Sequence, residues 1–406
     1  MARSPISIAA LVGAGIIGPG GGGHPAPTNY QIIANATGVA NVGGTVANTG
    51  IYNHSRQRHK NGKVAVRNIR FVDQLIRITT GTGVEVASPA QALNYDVALE
   101  KAASVEALLY GGVANPLLNP GTTNITDPST ATLAADEEFW SRYIRQVTAG
   151  ANGFSQTGNI YNDQQGFTLT TKRTLLALGA FNASGTVASN AYSPTAILGI
   201  PDSPIASLIA VADSIGDNQA DNNTAAAGGF INRATLNVDG HVFNWARQTV
   251  GGNSMNAQQS LTLLQKALWQ YATDILFALA TNDLASAGTT LQNLKDRFTV
   301  LANYAQSITG PYGKRLRVHA SSIIPRGTFD AGQEAIRVAY NAWLAAGADG
   351  LCDKYHDTAS AVVSAPSTWP SGDQIHPPPA EHANMASVLA ANLVPFQDPY
   401  YMPVAA

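Results

Sequence analysis

The sequence predicts a two-part chain, a β-rich first half followed by an α/β domain built on a parallel sheet. Three observations point to this class. Residues 63–200 hold short β-branched and aromatic runs separated by turn formers. From about residue 204 the pattern becomes apolar run, helical repeat, apolar run, helical repeat, which is the alternation of an open α/β sheet. The chain has 406 residues, 45% of them hydrophobic, enough for about two domains with their own cores.

The first stretch, residues 1–28, is a Gly/Pro-rich arm. Met1-Ala2-Arg3 and the apolar run 6–17 resemble the charged and apolar regions of a secretory signal. Gly18-Pro19, the four glycines 20–23 and His24-Pro25-Ala26-Pro27 follow, without a small-residue cleavage site. An assembly arm and a signal-like remnant are both open readings. Residues 29–62 are rich in Asn, Gly, Thr and Ala and lead into a basic cluster of Arg56, Arg58, Lys60, Lys63, Arg67 and Arg70. With no net positive charge behind it and no interleaved aromatics, the cluster reads as a solvated strand or loop.

Residues 64–66, 69–78, 84–86 and 167–178 read as strands, with turns at 80–83 and 119–121. Residues 138–145 alternate rings with polar residues, as an edge or half-buried strand would, and their aromatics read as core rather than a sugar-stacking stripe. A β-sandwich or jelly-roll over 29–200 is the expectation. Pro194, Pro201 and Pro204 interrupt regular structure, which sets the boundary between Asn190 and Pro204 and makes the halves separable.

In the second half, residues 205–211 and 274–280 are continuous apolar runs, as buried parallel strands are. Leu261, Leu264, Leu268 and Tyr271 recur at helical spacing, and so do Leu291, Leu294, Phe298 and Leu301. Residues 317–324 read as a further strand, and 331–346 and 381–392 as helices. Chemistry in such a sheet sits in the loops beyond the carboxyl ends of the strands.

Composition narrows the function classes. Net charge is −2 and only 12% of residues are charged, so no field draws the protein to nucleic acid. No run is long and apolar enough for a membrane span. Cys352 is the single cysteine, which excludes an intrachain disulfide and a cysteine-built zinc site. His24, His54, His59, His241, His319 and His356 show no ligand-like spacing and read as structural or exposed; no metal and no cofactor is expected.

Three segments carry candidate chemistry. In Ala212-Asp213-Ser214 the serine directly follows a buried strand where a helix should begin, so nearby amides can stabilise negative charge. A helix N-cap serine looks the same. In Ala280-Thr281-Asn282-Asp283 an asparagine can donate to an oxyanion and Asp283 can brace the loop, while an Asx turn is the plain alternative. In Asp373-Gln374-Ile375-His376-Pro377 the Asp and His, three apart, can pair within one turn and fix the imidazole tautomer.

In this order the segments resemble the GDSL, or SGNH, hydrolase family over residues 204–398, about half the chain. Ala212-Asp213-Ser214 resembles the family's Gly-Asp-Ser, Ala280-Thr281-Asn282-Asp283 its Gly-Thr-Asn-Asp, and Asp373 to Pro377, running to His382 and Met385, its closing block. Gly252 in Val250-Gly251-Gly252-Asn253 fits the glycine block. The resemblance implies a three-layer α/β/α domain and a serine esterase. Ser214 would be the nucleophile, His376 the base, and Asp373 its orienting partner. The Ser214 and Gly252 amides and the Asn282 side chain would form the oxyanion hole, with Asp213 and Asp283 in support. Two departures stand out: alanines replace glycines at 212 and 280, where the backbone then has less freedom.

The family contains lipases, thioesterases and carbohydrate O-acetylesterases. The β-rich companion and the charge-poor, Asn/Thr-rich composition point to an acetylated glycan as substrate. They also point to an extracellular or virion-associated protein that assembles, as a homo-oligomer or particle, through its first half. A structural or adhesive protein with an esterase-like binding domain is the alternative.

Overall fold

The computed structural model describes residues 28–401 except 37–39, 43–45, 48–51, 80, 83, 88–91, 147–151, 154–164, 170, 180, 182–191, 218, 222–227 and 261–262. Residues 1–27 of the Gly/Pro arm, His24 among them, lie outside the described residues.

The second half is a mixed α/β structure on a parallel sheet of six strands. Their spatial order is Asn35–Ala36, Asn244–Thr249, Ser207–Ala212, Asp274–Ala278, Arg317–Ser321, Lys354–His356. Ser207–Ala212 is fully buried, and its alternate residues feed two cores, as the period of two requires. Leu208, Ala210 and Ala212 pack with Phe230, Ile231 and Ala234 of helix Phe230–Thr235 and with Met385 and Leu389 of helix Pro379–Leu393. Ile209 and Val211 face Leu294, Phe298 and Leu301 of helix Leu291–Ser307 and Leu344 of helix Ala331–Ala345. Helices therefore cover both faces. The chain leaves Ser207–Ala212 first to one side and then to the other, which makes the end of that strand the topological switch point.

Both long helices on the second face start as their sequences specify. Thr290 caps the first and Asp330 the second, each in a capping box with the residue three positions on, Asn293 and Gln333. The repeat from Leu264 becomes a 3-10 helix, Leu264–Tyr271.

The first half is built largely of antiparallel strands. One sheet orders Gln31–Ile32, Ala196–Pro201, Val66–Gln74 and Thr123–Ile125. A second sheet orders Ser104–Leu108, Leu93–Lys101, Glu138–Gln146, Tyr52–Lys60 and Gln165–Leu169, and smaller sheets pair Asn152–Gly153 with Val46–Ala47 and Ile76–Thr79 with Ala40–Val42 and Glu85–Ala87. Phe71 and Ile197 from the first share a core with Tyr95, Val97, Phe139 and Tyr143 from the second.

Four expectations need correction. The proline-rich stretch at 190–204 is not a linker, because Ala196–Pro201 is a buried strand inside a sheet. Its Ala196 and Leu198, with Ile32 and Val72, belong to the core of the α/β half. Residues 138–145 form a central strand, flanked on both sides, not an edge. Arg56 is buried, not solvated: it makes two bonds to Glu100, at 2.9 and 2.8 Å, and Arg142 pairs with the same carboxylate. The strand expected over 167–178 ends at Leu169. Among the described residues no helix is long and apolar enough to cross a membrane.

Candidate active site

Ser214 follows the switch-point strand at one remove and begins a turn rather than a long helix. The Asp217 amide donates to the Asp213 carbonyl at 2.9 Å and the Gln219 amide to the Ser214 carbonyl at 3.0 Å. The side chain of Asp213 turns back on this loop and accepts from the Ile215 amide at 3.0 Å. A Cβ at Gly216 would lie 2.3 Å from the Cβ of Ala212, so the turn closes only because residue 216 is glycine. The alanine at 212 is accommodated by that neighbour.

His376 meets Ser214 across 162 residues of sequence, with Asp373 on the far side of its ring. The Ser214 hydroxyl lies 2.8 Å from His376 Nε2, and His376 Nδ1 lies 2.6 Å from Asp373 Oδ2. With Nδ1–H donated to the carboxylate, Nε2 is left as the acceptor that faces the serine. Asp373 Oδ1 accepts from the Ile375 amide at 2.8 Å, the His376 amide at 3.0 Å and the Ser371 hydroxyl at 2.9 Å. Burial works against the Asp373 charge. The His376 side chain, the two amides and the Ser371 hydroxyl outweigh it and hold the carboxyl well below the usual carboxylate range. Ser214 itself is 7% exposed.

The loops that would surround an oxyanion also converge. Gly252 sits at φ +80° after strand Asn244–Thr249. Asn282 Nδ2 donates to the Asn253 carbonyl at 2.9 Å, so its amide lies against the glycine loop, and the second hydrogen of that nitrogen remains for a ligand. Asp283 braces this arrangement. Its carboxylate accepts from the Met255 and Asn256 amides at 2.7 and 3.0 Å and from Arg297 Nη1 at 2.9 Å. Ala280 adopts φ +87°, ψ −15°, the left-handed region that favours glycine. An alanine there stores strain of about 1 kcal/mol two residues before Asn282.

Asp213 is buried beside a small cavity of mixed lining, with Thr281, Ser321 and Ser322 on its polar side and Phe230, Leu279 and Ile324 on its apolar side. Burial pushes its carboxyl up to about 7, with the nearby Asp283 charge adding to the effect. The Ile215 and Gly216 amides and Arg326 oppose it. His382 stays away from the serine: it accepts from the Phe230 amide at 3.2 Å, and burial lowers it to about 4.

Sequence reasoning singled out Ser214, Gly252, Asn282, Asp283, Asp373 and His376, and the fold brings all of them to one end of the sheet. It missed Arg326, whose charge is felt by Asp213 and Asp373. It also missed Gly81, whose amide donates to the Gly251 carbonyl at 2.8 Å. Neither has a local signal, since both act through contacts distant in sequence. Of the remaining histidines, His319 and His356 are buried and stacked, with His319 Nε2 2.9 Å from Asp274. Among the described residues no group of three or more His, Cys, Asp or Glu side chains is placed to hold a metal ion.

No protein-family model matches the chain, and no curated protein matches it. Solved structures do. An aryl esterase of M. smegmatis is 16% identical and matches over 46% of this chain and 96% of its own, with a TM-score of 0.35. Est24, a carbohydrate acetylesterase from Sinorhizobium meliloti, is 11% identical over 46% of this chain and 96% of its own, TM-score 0.35. A GDSL-like lipase from Parabacteroides merdae is 12% identical over the same shares, TM-score 0.35. The chain thus contains a region, about 46% of its length, that is similar to GDSL/SGNH lipases and esterases.

Proposed function

We propose that the protein is a serine esterase that removes short acyl groups, acetyl above all, from a polysaccharide. The observation that carries this reading is the relay from Ser214 through His376 to Asp373, at 2.8 and 2.6 Å. In the first step Ser214 Oγ forms a bond to the ester carbonyl carbon while its proton passes to His376 Nε2. The carbonyl oxygen becomes an oxyanion, which accepts from the Ser214 and Gly252 amides and the Asn282 side chain. Each such donor is worth on the order of 3 kcal/mol in the transition state. As the intermediate collapses, the C–O bond to the alcohol breaks and His376 returns the proton to the leaving oxygen. Water then repeats the sequence on the acyl-serine, with His376 again as base.

Polar surroundings support a short acyl group. Asp217, Asn253 and Ser254 flank the serine and the glycine loop, so each further methylene would gain little of the roughly 0.8 kcal/mol that full burial gives. The charge-poor composition and the long first half support a glycan substrate on an extracellular or virion surface. In that setting the β-rich half is a sandwich-like module through which copies assemble.

The test is a rate series on aryl acetate, butyrate and octanoate, together with acetate release from an acetylated polysaccharide. Acetate should be fastest, and Ser214→Ala should lose activity by a factor of about 10⁴ or more while melting like the parent. Faster turnover of octanoate would point to a lipase, and a Ser214→Ala rate within a few-fold of the parent would overturn the assignment.

A further inference from the structure

We propose that the first half of the chain sets the geometry of the oxyanion hole, with Gly81 as a positioning residue for the Gly252 amide. The inference rests on the esterase reading above and adds to it a part played by a segment more than 120 residues before the nucleophile. Strands Ile76–Thr79 and Glu85–Ala87 form an antiparallel hairpin. Ile76 and Ile78 bury themselves against Val250, the residue just before Gly251, with Leu264 packed alongside. From the other strand, the Glu85 carboxylate accepts from the Leu264 and Gln265 amides at 2.8 and 3.1 Å. The hairpin is thus fastened on both sides of the segment that carries Gly252.

Its turn then reaches the site itself. The Gly81 N–H donates to the Gly251 carbonyl at 2.8 Å. That carbonyl and the Gly252 N–H belong to one planar trans peptide and point in opposite directions. Holding the carbonyl toward the hairpin therefore holds the N–H toward the opposite side. The bond also polarises the peptide, which makes the N–H a better donor to negative charge. Contact this close demands glycine at residue 252, while at Gly81 the positive φ alone favours it. A Cβ at Gly252 would lie 2.3 Å from Gly81 Cα, and the two residues sit at φ +80° and +86°.

Rotation of that peptide weakens the transition state more than the bound ester, so the effect belongs in kcat rather than KM. In full-length protein, Gly81→Val strains the turn. It should lower kcat for aryl acetate, per serine titrated with a fluorophosphonate, by about 10- to 100-fold with KM within about threefold. Gly81→Asn keeps the N–H and tolerates a left-handed φ, and should recover most of that loss. Thr82→Ala in the same turn should match the parent. If Gly81→Val does not melt cooperatively, Gly81→Ala carries the same comparison at smaller amplitude, since its Cβ meets no neighbouring atom.

An unchanged kcat per titrated site in a folded Gly81→Val or Gly81→Ala variant overturns the proposal. So does a loss that Gly81→Asn fails to recover, or one that falls wholly on KM. Parent activity that is insensitive to Ser214→Ala overturns the esterase reading and this inference with it. Parent activity that needs Ser214 but ignores Gly81 overturns the inference alone.

Discussion

Single residues decide how this site is tuned, and Asp213 shows it most directly. Its carboxyl is buried next to the nucleophile and pushed up to about 7, from an ordinary value near 3.8. Between those values the folded protein binds a proton that the unfolded chain releases, so this group's contribution to stability falls as pH rises. Asp213→Asn removes the titration. From pH 5 to pH 8 the variant should therefore gain on the parent by on the order of 2 kcal/mol, read as converging or crossing melting temperatures. Parallel curves would contradict the assignment. At this scale the sequence was most legible. Ser214, Asn282, Asp373 and His376 sit in short segments whose residue types carry the chemistry. The loss of backbone freedom at Ala212 and Ala280 was legible too, but the left-handed angle at Ala280 and the packing of Ala212 against Gly216 were not, because each depends on a backbone angle or a neighbour's missing Cβ.

Elements were legible where local pattern alone forms them. The apolar runs at 205–211 and 274–280 became Ser207–Ala212 and Asp274–Ala278, and the repeat from Leu291 became Leu291–Ser307. Pattern failed where pairing across the sequence decides. Prolines at 194, 201 and 204 suggested a break, yet a strand, Ala196–Pro201, runs between the first two and ends on Pro201. The ring-and-polar alternation of residues 138–145 suggested an edge or half-buried strand. Partners on both sides instead bury Arg142 and Arg145 within the sheet, Arg142 on Glu100 and Arg145 Nη2 2.7 Å from Asn53. A buried arginine next to a strand's apolar residues looks polar in sequence and is interior in space only because its partner is there.

At the scale of the whole molecule the two halves share structure. Asn35–Ala36 is an outer strand of the parallel sheet, and Ile32, Val72, Ala196 and Leu198 fill the core that holds Ile209 and Phe277. A fragment beginning at Pro201 loses that strand, those apolar side chains and the hairpin on Gly252. It should show no cooperative melt; a fragment that melts cooperatively and keeps full aryl acetate hydrolysis would show the halves to be independent. A two-residue strand carries no periodicity, so this union could not be read from the sequence. The central claim, that Ser214 is a nucleophile activated by His376, is tested most directly by labelling the full-length protein with a fluorophosphonate and mapping the adduct by mass spectrometry. One adduct should form, on Ser214, absent in Ser214→Ala and formed at least about 100-fold more slowly in His376→Ala. An adduct on another residue, or an undiminished rate in His376→Ala, would contradict it.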